Sequence, residues 1–316
     1  MRLSRRTILQ SGALGVGAAG LASLAGAEPV PSFPGAIDAH SHVWSKDLAR
    51  YPLGPWAKPA DMQPASFSAE ELLAIVRPNG VDRVVLIQHA PLHGYDNSYV
   101  LDCAKAYPGV FSVVAMIDER LPRVGERLDT LVKQGARGIR IGPTNHADRT
   151  PNADPPKWLD APGMVSLWEH AARLGVAICP LVTAEFLLSL DPMCRKHPET
   201  VCVIDHFGHI DPGKRDTVEA LVRLARHTKV YVKVSAFYKF ADRKPPYDDL
   251  VPMIRTVVDA FGPDRLMWAS DCPYQLNDGN TYADAINLIR DGIGDLTEND
   301  RRAILRDTAA RIFFRG

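Results

Sequence analysis

Eight short apolar runs, each followed by an amphipathic stretch, recur at a spacing of roughly thirty residues, and this alternation restricts the chain to very few folds. The runs are Ala36–His42, Val81–His89, Val110–Asp118, Ala136–Ile141, Val176–Val182, Val201–His206, Val230–Ser235 and Arg265–Asp271. Each is continuous in apolar and β-branched residues instead of alternating with polar ones, the pattern of strands buried on both faces. Ser68-Ala-Glu-Glu opens one intervening helix, Pro162-Gly163 precedes one running through Trp168 and Arg173, and Pro212-Gly213 stands before Val218–Arg226. Gly80, Pro108-Gly109, Gly135, Gly175 and Gly262-Pro263 punctuate the ends. Eight strand–helix units predict an α/β fold, a single-domain (β/α)8 TIM barrel, with an extra C-terminal helix over Glu298–Phe313. The alternative, an open doubly wound sheet, lacks its Gly-x-Gly-x-x-Gly fingerprint after the first run.

The barrel is expected to occupy residues 28–316. The segment before it, 1–27, reads as a twin-arginine signal peptide: Ser4-Arg5-Arg6-Thr7-Ile8-Leu9, an uncharged Gly/Ala/Leu run from Ser11 to Gly26, and the small residues Ala25-Gly26-Ala27 before Glu28. The run is too rich in glycine and too weakly apolar for a membrane span, so export to the periplasm is expected. That route carries folded chains, which suits a protein acquiring a bound cofactor first.

Lys and Arg together number 37, as do Asp and Glu, and 46% of residues are hydrophobic, which fits one globular unit with a large core. No basic stripe marks a nucleic-acid surface, and no apolar run after residue 27 is long enough to cross a bilayer. The five cysteines lack CxxC spacing. Cys179 and Cys202 lie in strand-like runs as small hydrophobes, while Cys272 follows Asp271 at a strand end with no activating base beside it in sequence.

In a parallel barrel, function gathers at the C-terminal strand ends. Those ends carry His40 and His42 on the first strand, Gln88 and His89 on the second, Asp118 on the third, Arg140 on the fourth, Asp205 and His206 on the sixth, Lys233 and Ser235 on the seventh, and Asp271 on the eighth. Residues two apart on a strand point the same way, so His40 and His42 can grip one metal ion or one substrate group. Asp271, beside imidazoles, would stay ionised and take a proton from an attacking water. His40, His42 and His206 would stabilise the oxyanion, as ligands of a Lewis-acid metal or as direct hydrogen-bond donors. Arg140 has the planar fork suited to a substrate carboxylate, and Gln88, Tyr95 and Asn97 are candidates to hold hydroxyls or a ring.

Other roles are open to these residues. The alternatives are that Asp271 N-caps the next helical segment, that Arg140 pairs with Asp118, and that Asp38 and Asp205 face the barrel wall. Segments 143–162 and 237–247 are long for barrel connections. The first, with Trp158 as its large aromatic, suits a lid, and the second, with Tyr238, Lys239, Arg243 and Lys244, suits an anionic substrate.

Five segments, Asp38-Ala-His-Ser-His42, Leu86-Ile-Gln88 with His93-Gly-Tyr-Asp-Asn97, Gly138-Ile-Arg140, Asp205-His-Phe-Gly208 and Trp268-Ala-Ser-Asp-Cys-Pro273, resemble the amidohydrolase superfamily. Within it they are most similar to the branch of 2-pyrone-4,6-dicarboxylate lactonases and sugar lactonases. The resemblance implies a metal-dependent TIM-barrel hydrolase that opens a lactone of a sugar acid or carboxylated pyrone, with Asp271 as general base. Its substrate would be a small anionic or sugar-like molecule. Two-metal members of the superfamily present a Lys or Glu on strand four and a His on strand five, where this chain has Arg140 and Cys179-Pro180-Leu181. The resemblance therefore implies at most one divalent ion, zinc or manganese, on His40, His42, His206 and Asp271, and is compatible with metal-independent hydrolysis. A decarboxylase of the same superfamily is the alternative activity, and a ligand-binding barrel without turnover a third.

Overall fold

The structure, a computed structural model, describes residues 35–143, 157–240 and 245–315. Eight parallel strands, β1 (Ala36–Ser41), β2 (Val81–Ile87), β3 (Phe111–Met116), β4 (Ala136–Ile141), β5 (Ala177–Pro180), β6 (Cys202–Ile204), β7 (Val230–Ser235) and β8 (Leu266–Ala269), follow one another in chain order around one sheet. The last strand returns to the first through a bridge between Ser41 and Cys272 and through hydrogen bonds from His42 N to Cys272 O (2.8 Å) and Asp271 N to His40 O (2.9 Å). This is the expected TIM barrel, nearly closed.

The seam between β8 and β1 is fastened by a side chain. Asp38, fully buried, accepts from His40 N at 3.0 Å and Ser270 N at 2.9 Å on one carboxylate oxygen. Its other oxygen accepts from Ser41 Oγ at 2.8 Å, Ser270 Oγ at 2.5 Å and Tyr282 Oη at 2.9 Å. Asp38 thus belongs to the wall, as one reading of the sequence held.

The barrel interior is a packed layer, not a pore. Ile37, Ala39, Val85, Ile87, Val114, Ala177, Cys179, Val203, Met267 and Ala269 fill it, joined by Ala309, Ile312 and Phe313 of the C-terminal segment. That segment runs as helix Glu298–Arg302, a wider π-type stretch Ala303–Asp307, and helix Thr308–Phe313. Ser112 Oγ, near the start of β3, donates to Phe313 O at 2.7 Å, so the extra helix plugs the end of the barrel opposite the C-terminal strand ends. Gly138 makes room for it: a Cβ there would stand 2.9 Å from Val114 and 3.2 Å from the Phe313 ring.

The surrounding helices form where the start signals stand. Ser68 caps helix Ala69–Val76 by accepting from Glu71 N, with Glu71 reaching back to Ser68 N. Pro162 opens helix Pro162–Leu174, and Gly175 ends it in the left-handed region. Pro212-Gly213 differs from expectation: the helix begins at Arg215, because Asp211 turns the chain by accepting from Gly213 N (2.9 Å). No helix among the described residues is long and apolar enough to cross a membrane.

Candidate active site

The ends of β6, β7 and β8 each pass into backbone with positive φ at a non-glycine residue: His206 (50°), Ala236 (56°) and Asp271 (64°). Such conformations cost free energy and persist where surrounding packing enforces them, commonly at functional sites. Here they decide which side chains meet. The turn at His206, continued by Phe207 (53°), lets two consecutive residues, Asp205 and His206, both enter the barrel mouth. Simple alternation would have sent Asp205 into the wall, so that expectation is corrected. On β1, the pairing with β2 shifts between Asp38 and Ser41, which lets His40 and His42 reach the mouth although Ile37 and Ala39 already face the interior.

Around Asp271 three acceptor-type atoms converge. His40 Nε2 and His42 Nε2 are 3.3 Å apart, and Asp271 Oδ1 stands 3.5 Å from the first and 3.4 Å from the second. His206 Nε2 lies further out, 3.8 Å from Asp271 Oδ1, with its ring tilted against His40 at 4.4 Å between centroids and its Nδ1 2.8 Å from Ser235 Oγ. Tyr238 Oη donates to the second Asp271 oxygen at 2.7 Å. The Asp271 side chain is held by these groups, and the N-cap alternative is not what the structure shows.

Burial works against the charge on Asp271, but the facing imidazoles of His206, His40 and His42 outweigh it and hold its pKa well below the usual carboxylate range. Burial also lowers two of the rings, those of His206 and His40. His206 falls to about 3, and His40, with the Lys233 ammonium adding to the effect, falls well below its ordinary value.

Beneath this cluster lies a second one. Asp205, with no solvent exposure, takes the Lys233 ammonium at 2.8 Å on Oδ1 and the Arg140 guanidinium at 3.1–3.2 Å on Oδ2. Burial would raise the Asp205 pKa, yet Lys233 and Arg140 drive it well below the carboxylate range. Arg140 also donates from Nη2 to His40 Nε2 at 3.3 Å. Asp118, the alternative partner for Arg140, pairs instead with Arg120 at 3.0 Å.

Residues 37–315 match the family described as Amidohydrolase. The chain belongs to the amidohydrolase family. It is 30% identical over 245 residues, 75% of this chain and 80% of the relative, to an L-fucono-1,5-lactonase of Burkholderia ambifaria. It is 28% identical over 296 residues, 89% of each chain, to a 4-sulfomuconolactone hydrolase of Hydrogenophaga intermedia. Among solved structures, an amidohydrolase of Burkholderia multivorans with bound zinc superposes with a TM-score of 0.69 at 24% identity, covering 88% of this chain and 98% of that one. The 5-carboxyvanillate decarboxylase of Sphingomonas paucimobilis superposes with a TM-score of 0.62 at 18% identity, covering 89% and 99%. These two likenesses show the fold.

In this amidohydrolase the donor set can be tested against a metal ion. His42 Nδ1 donates to Ile87 O at 3.0 Å, so a neutral His42 presents a lone pair on Nε2, toward Asp271. His40 Nδ1 faces Asp205 Oδ1 at 3.4 Å, the carboxylate partner that a ligating imidazole normally has on its other nitrogen. With the His40 proton on Nδ1, two imine nitrogens and a carboxylate oxygen share one small space, the donor set of a divalent ion. The trio His40, His42 and Asp271 therefore fits one divalent ion. His206, expected as a fourth ligand, stands outside this compact group because its Nε2 is held back with the ring that Ser235 orients.

Three expected substrate contacts are corrected or relocated. Gln88 Nε2 donates to Gly94 O at 3.3 Å and also to Asp96 O. Asn97 Nδ2 donates to Tyr95 O and Met116 O, and its Oδ1 accepts from Met116 N at 2.7 Å. Both amide N–H2 groups are engaged by backbone and shape the loop after β2, and the Asn97 carbonyl oxygen is taken as well. Tyr95 lies on that loop, lining a cavity of about 970 Å³ with Lys105, Lys133 and Arg137 on the outer side of the barrel, away from Asp271. Trp158, read as part of a lid, is instead 2% exposed and donates to Ser189 Oγ at 3.1 Å. The lid expectation otherwise falls on residues 144–156, and Arg243 and Lys244 of the second loop likewise lie outside the described residues.

Of two further mouth residues, Tyr274 had no role in the sequence reading and Tyr238 only a share in a loop suited to an anionic substrate. Tyr274, half-buried, has its ring 5.8 Å from that of His42, and its Oη lies 2.6 Å from His89 Nε2. Tyr238 sits in a loop that the sequence marks only as cationic and aromatic. A proline-flanked tyrosine three residues past the strand-eight aspartate was the available signal for Tyr274.

Proposed function

We propose that this amidohydrolase opens a cyclic ester by water attack, with Asp271 as general base, on a small lactone carrying an acidic or sugar-like group. The observation that supports this best is the ionised Asp271 oxygen at the barrel mouth, 3.4–3.5 Å from two imidazole nitrogens, in a chain whose named relatives are a sulfomuconolactone hydrolase and a fuconolactonase.

Asp271 would hold the attacking water and take its proton; the carboxylate is oriented for that by Tyr238 Oη and by the His40–His42 edge. His206, fixed through Ser235, offers Nε2 toward the same space and, with its proton on Nε2 and the Ser235 hydroxyl turned to donate to Nδ1, would donate to the carbonyl oxygen as charge develops there. Arg140 would meet an anionic substituent of the substrate from below. His40, His42 and Asp271 would hold a zinc or manganese ion, which when bound supplies Lewis-acid polarisation and lowers the pKa of water.

The test is proton release measured with a pH indicator on sulfonated and carboxylated muconolactones, pyrone dicarboxylates and aldonolactones, with carbon dioxide monitored in parallel. Proton release without carbon dioxide, reduced about 10²–10⁴-fold in Asp271→Asn, is expected. Carbon dioxide evolution would select the lyase reading, and tight binding without turnover the receptor reading.

Export is the second part of the proposal, supported by Arg5-Arg6 and the Ala25-Gly26-Ala27 site. Protein recovered from a periplasmic fraction should begin at Glu28. Full-length chain confined to the cytoplasm would refute it.

A further inference from the structure

Two of the five cysteines meet outside the barrel mouth. Cys202 opens β6 and lies, with Ile204, in the apolar layer between barrel wall and helices, whereas Val203 between them faces the interior. Cys194 enters the same layer from the buried side of helix Leu190–Lys196, together with Leu190 and Met193. The thiols of Cys194 and Cys202 hydrogen-bond to one another there. We propose that Cys194 and Cys202 are a modification site, closing to an intramolecular disulfide that staples helix Leu190–Lys196 to the strand whose end carries Asp205 and His206.

Three observations carry this. First, the sulfurs already touch, so a bond of about 2.05 Å needs only a small approach. The connection between the two elements is fixed by His197 N donating to Met193 O (2.8 Å), Thr200 N to His197 O (3.1 Å) and Thr200 Oγ1 to Trp168 O (3.1 Å). Second, the pairing is selective. Cys179 stands on the neighbouring strand but faces the interior, among the charges of Lys233, Asp205 and Arg140. Cys103 is hydrogen-bonded to Tyr99, and Cys272 sits at the seam beside Ser41. Third, the two thiols differ. Cys194 is 5% exposed and Cys202 is 0% exposed, and the hydrogen bond to Cys194, with burial, keeps the Cys202 thiol protonated well above its ordinary pKa.

Cys194 is therefore the first to react. The oxidant is a small disulfide such as oxidised glutathione, or the disulfide of a thiol oxidoreductase. The Cys194 thiolate attacks one of its sulfurs, forming a mixed disulfide and expelling a thiolate that takes up the Cys194 proton. Cys202 then displaces the second thiol, which leaves with the Cys202 proton. The pair loses two electrons and two protons, and the oxidant becomes two thiols. The export proposed above would deliver the folded chain to a compartment where such a bond persists, but the chemistry of the pair depends neither on export nor on the substrate.

The test incubates the reduced, folded, full-length protein with oxidised glutathione and counts thiols after unfolding with a chromogenic disulfide reagent. The count is expected to fall from five to three, and to stay at four in Cys194→Ser. Non-reducing digestion with trypsin and an Asp-specific protease cuts before Asp191 and Asp205 and after Arg195 and Lys196, so Cys179, Cys194 and Cys202 fall on separate peptides. Peptides 191–195 and 197–204 should remain linked. Five persisting thiols, separate glutathione adducts on Cys194 and Cys202, or a link through Cys179 would each overturn the proposal.

Discussion

Replacing Asp38 by alanine tests how this barrel closes. Asp38 Oδ1 holds the backbone N–H groups of His40 and Ser270, and Oδ2 holds the hydroxyls of Ser41, Ser270 and Tyr282. In Asp38→Ala, two buried backbone donors on opposite sides of the seam lose their acceptor, at about 1–3 kcal/mol each. The two serine hydroxyls, 3.1 Å apart, can still bond one another, but Tyr282 Oη is left unpaired at about 1 kcal/mol more. The expected loss is roughly 3–7 kcal/mol, a large part of a typical domain's stability. Asp38→Asn should cost much less. Its carbonyl keeps both backbone donors, its two amide protons can donate to two of the three hydroxyls once these rotate to accept, and a buried charge whose pKa is raised by desolvation is removed. Urea denaturation of the two variants and the parent, read as free energies by linear extrapolation, should separate alanine from asparagine by at least about 2 kcal/mol. Equal stabilities for the two variants would falsify the account of the seam. The effect should also reach the site, because His40 and Asp271 each neighbour a residue that Asp38 holds, so zinc binding should weaken in Asp38→Ala and not in Asp38→Asn.

Further outcomes follow from single contacts. Phe313→Ala empties the plug beneath the interior layer, where Phe313 is 1% exposed, and should destabilise by about 3–4 kcal/mol in denaturant melts; a loss under 1 kcal/mol would show that the C-terminal helix does not close the barrel. Tyr238→Phe removes the hydroxyl donor to Asp271 and should lower kcat about tenfold with the fold intact, whereas an unchanged kcat means that the hydrogen bond does not orient the base. Asp191 binds Arg226, Arg195 and His227, and although burial opposes the charge these partners pull its pKa down to about 2. A folded pKa below the unfolded value of about 3.9 gives stability that is present above pH 4 and lost as pH falls toward 2. With the arginines 56% and 69% exposed, the contribution is about 1 kcal/mol, so the gap between the parent and Asp191→Asn should narrow between pH 5 and pH 3 in urea melts and refute the assignment if it stays constant.

Much of the architecture was legible in the sequence because it rests on local rules. Buried parallel strands need continuous apolar runs, so Ala136–Ile141 and Val230–Ser235 have the same limits in the sequence pattern and in β4 and β7. Ser68 and Pro162 announce helix starts because capping and a fixed φ act within a few residues. The order of strands, the position of the mouth and the residues His40, His42, His206 and Asp271 at its rim all follow from that pattern.

Which atoms meet at the mouth was decided by long-range structure. Asp205 enters the site because positive φ at His206 breaks the alternation, a cost that only packing from the whole barrel can sustain. Arg140 binds Asp205 and His40, not Asp118, since partners 65 and 100 residues away in sequence are brought within 3.3 Å by closure of the sheet. Gln88 and Asn97, polar and at the expected place, are taken by backbone groups whose need for partners no sequence pattern records. The sequence determined that a barrel would form with these imidazoles at one end. Only the tertiary structure, by summing burial, register shift and strain around a closed ring, decided which of their nitrogens meet and which charged groups surround them.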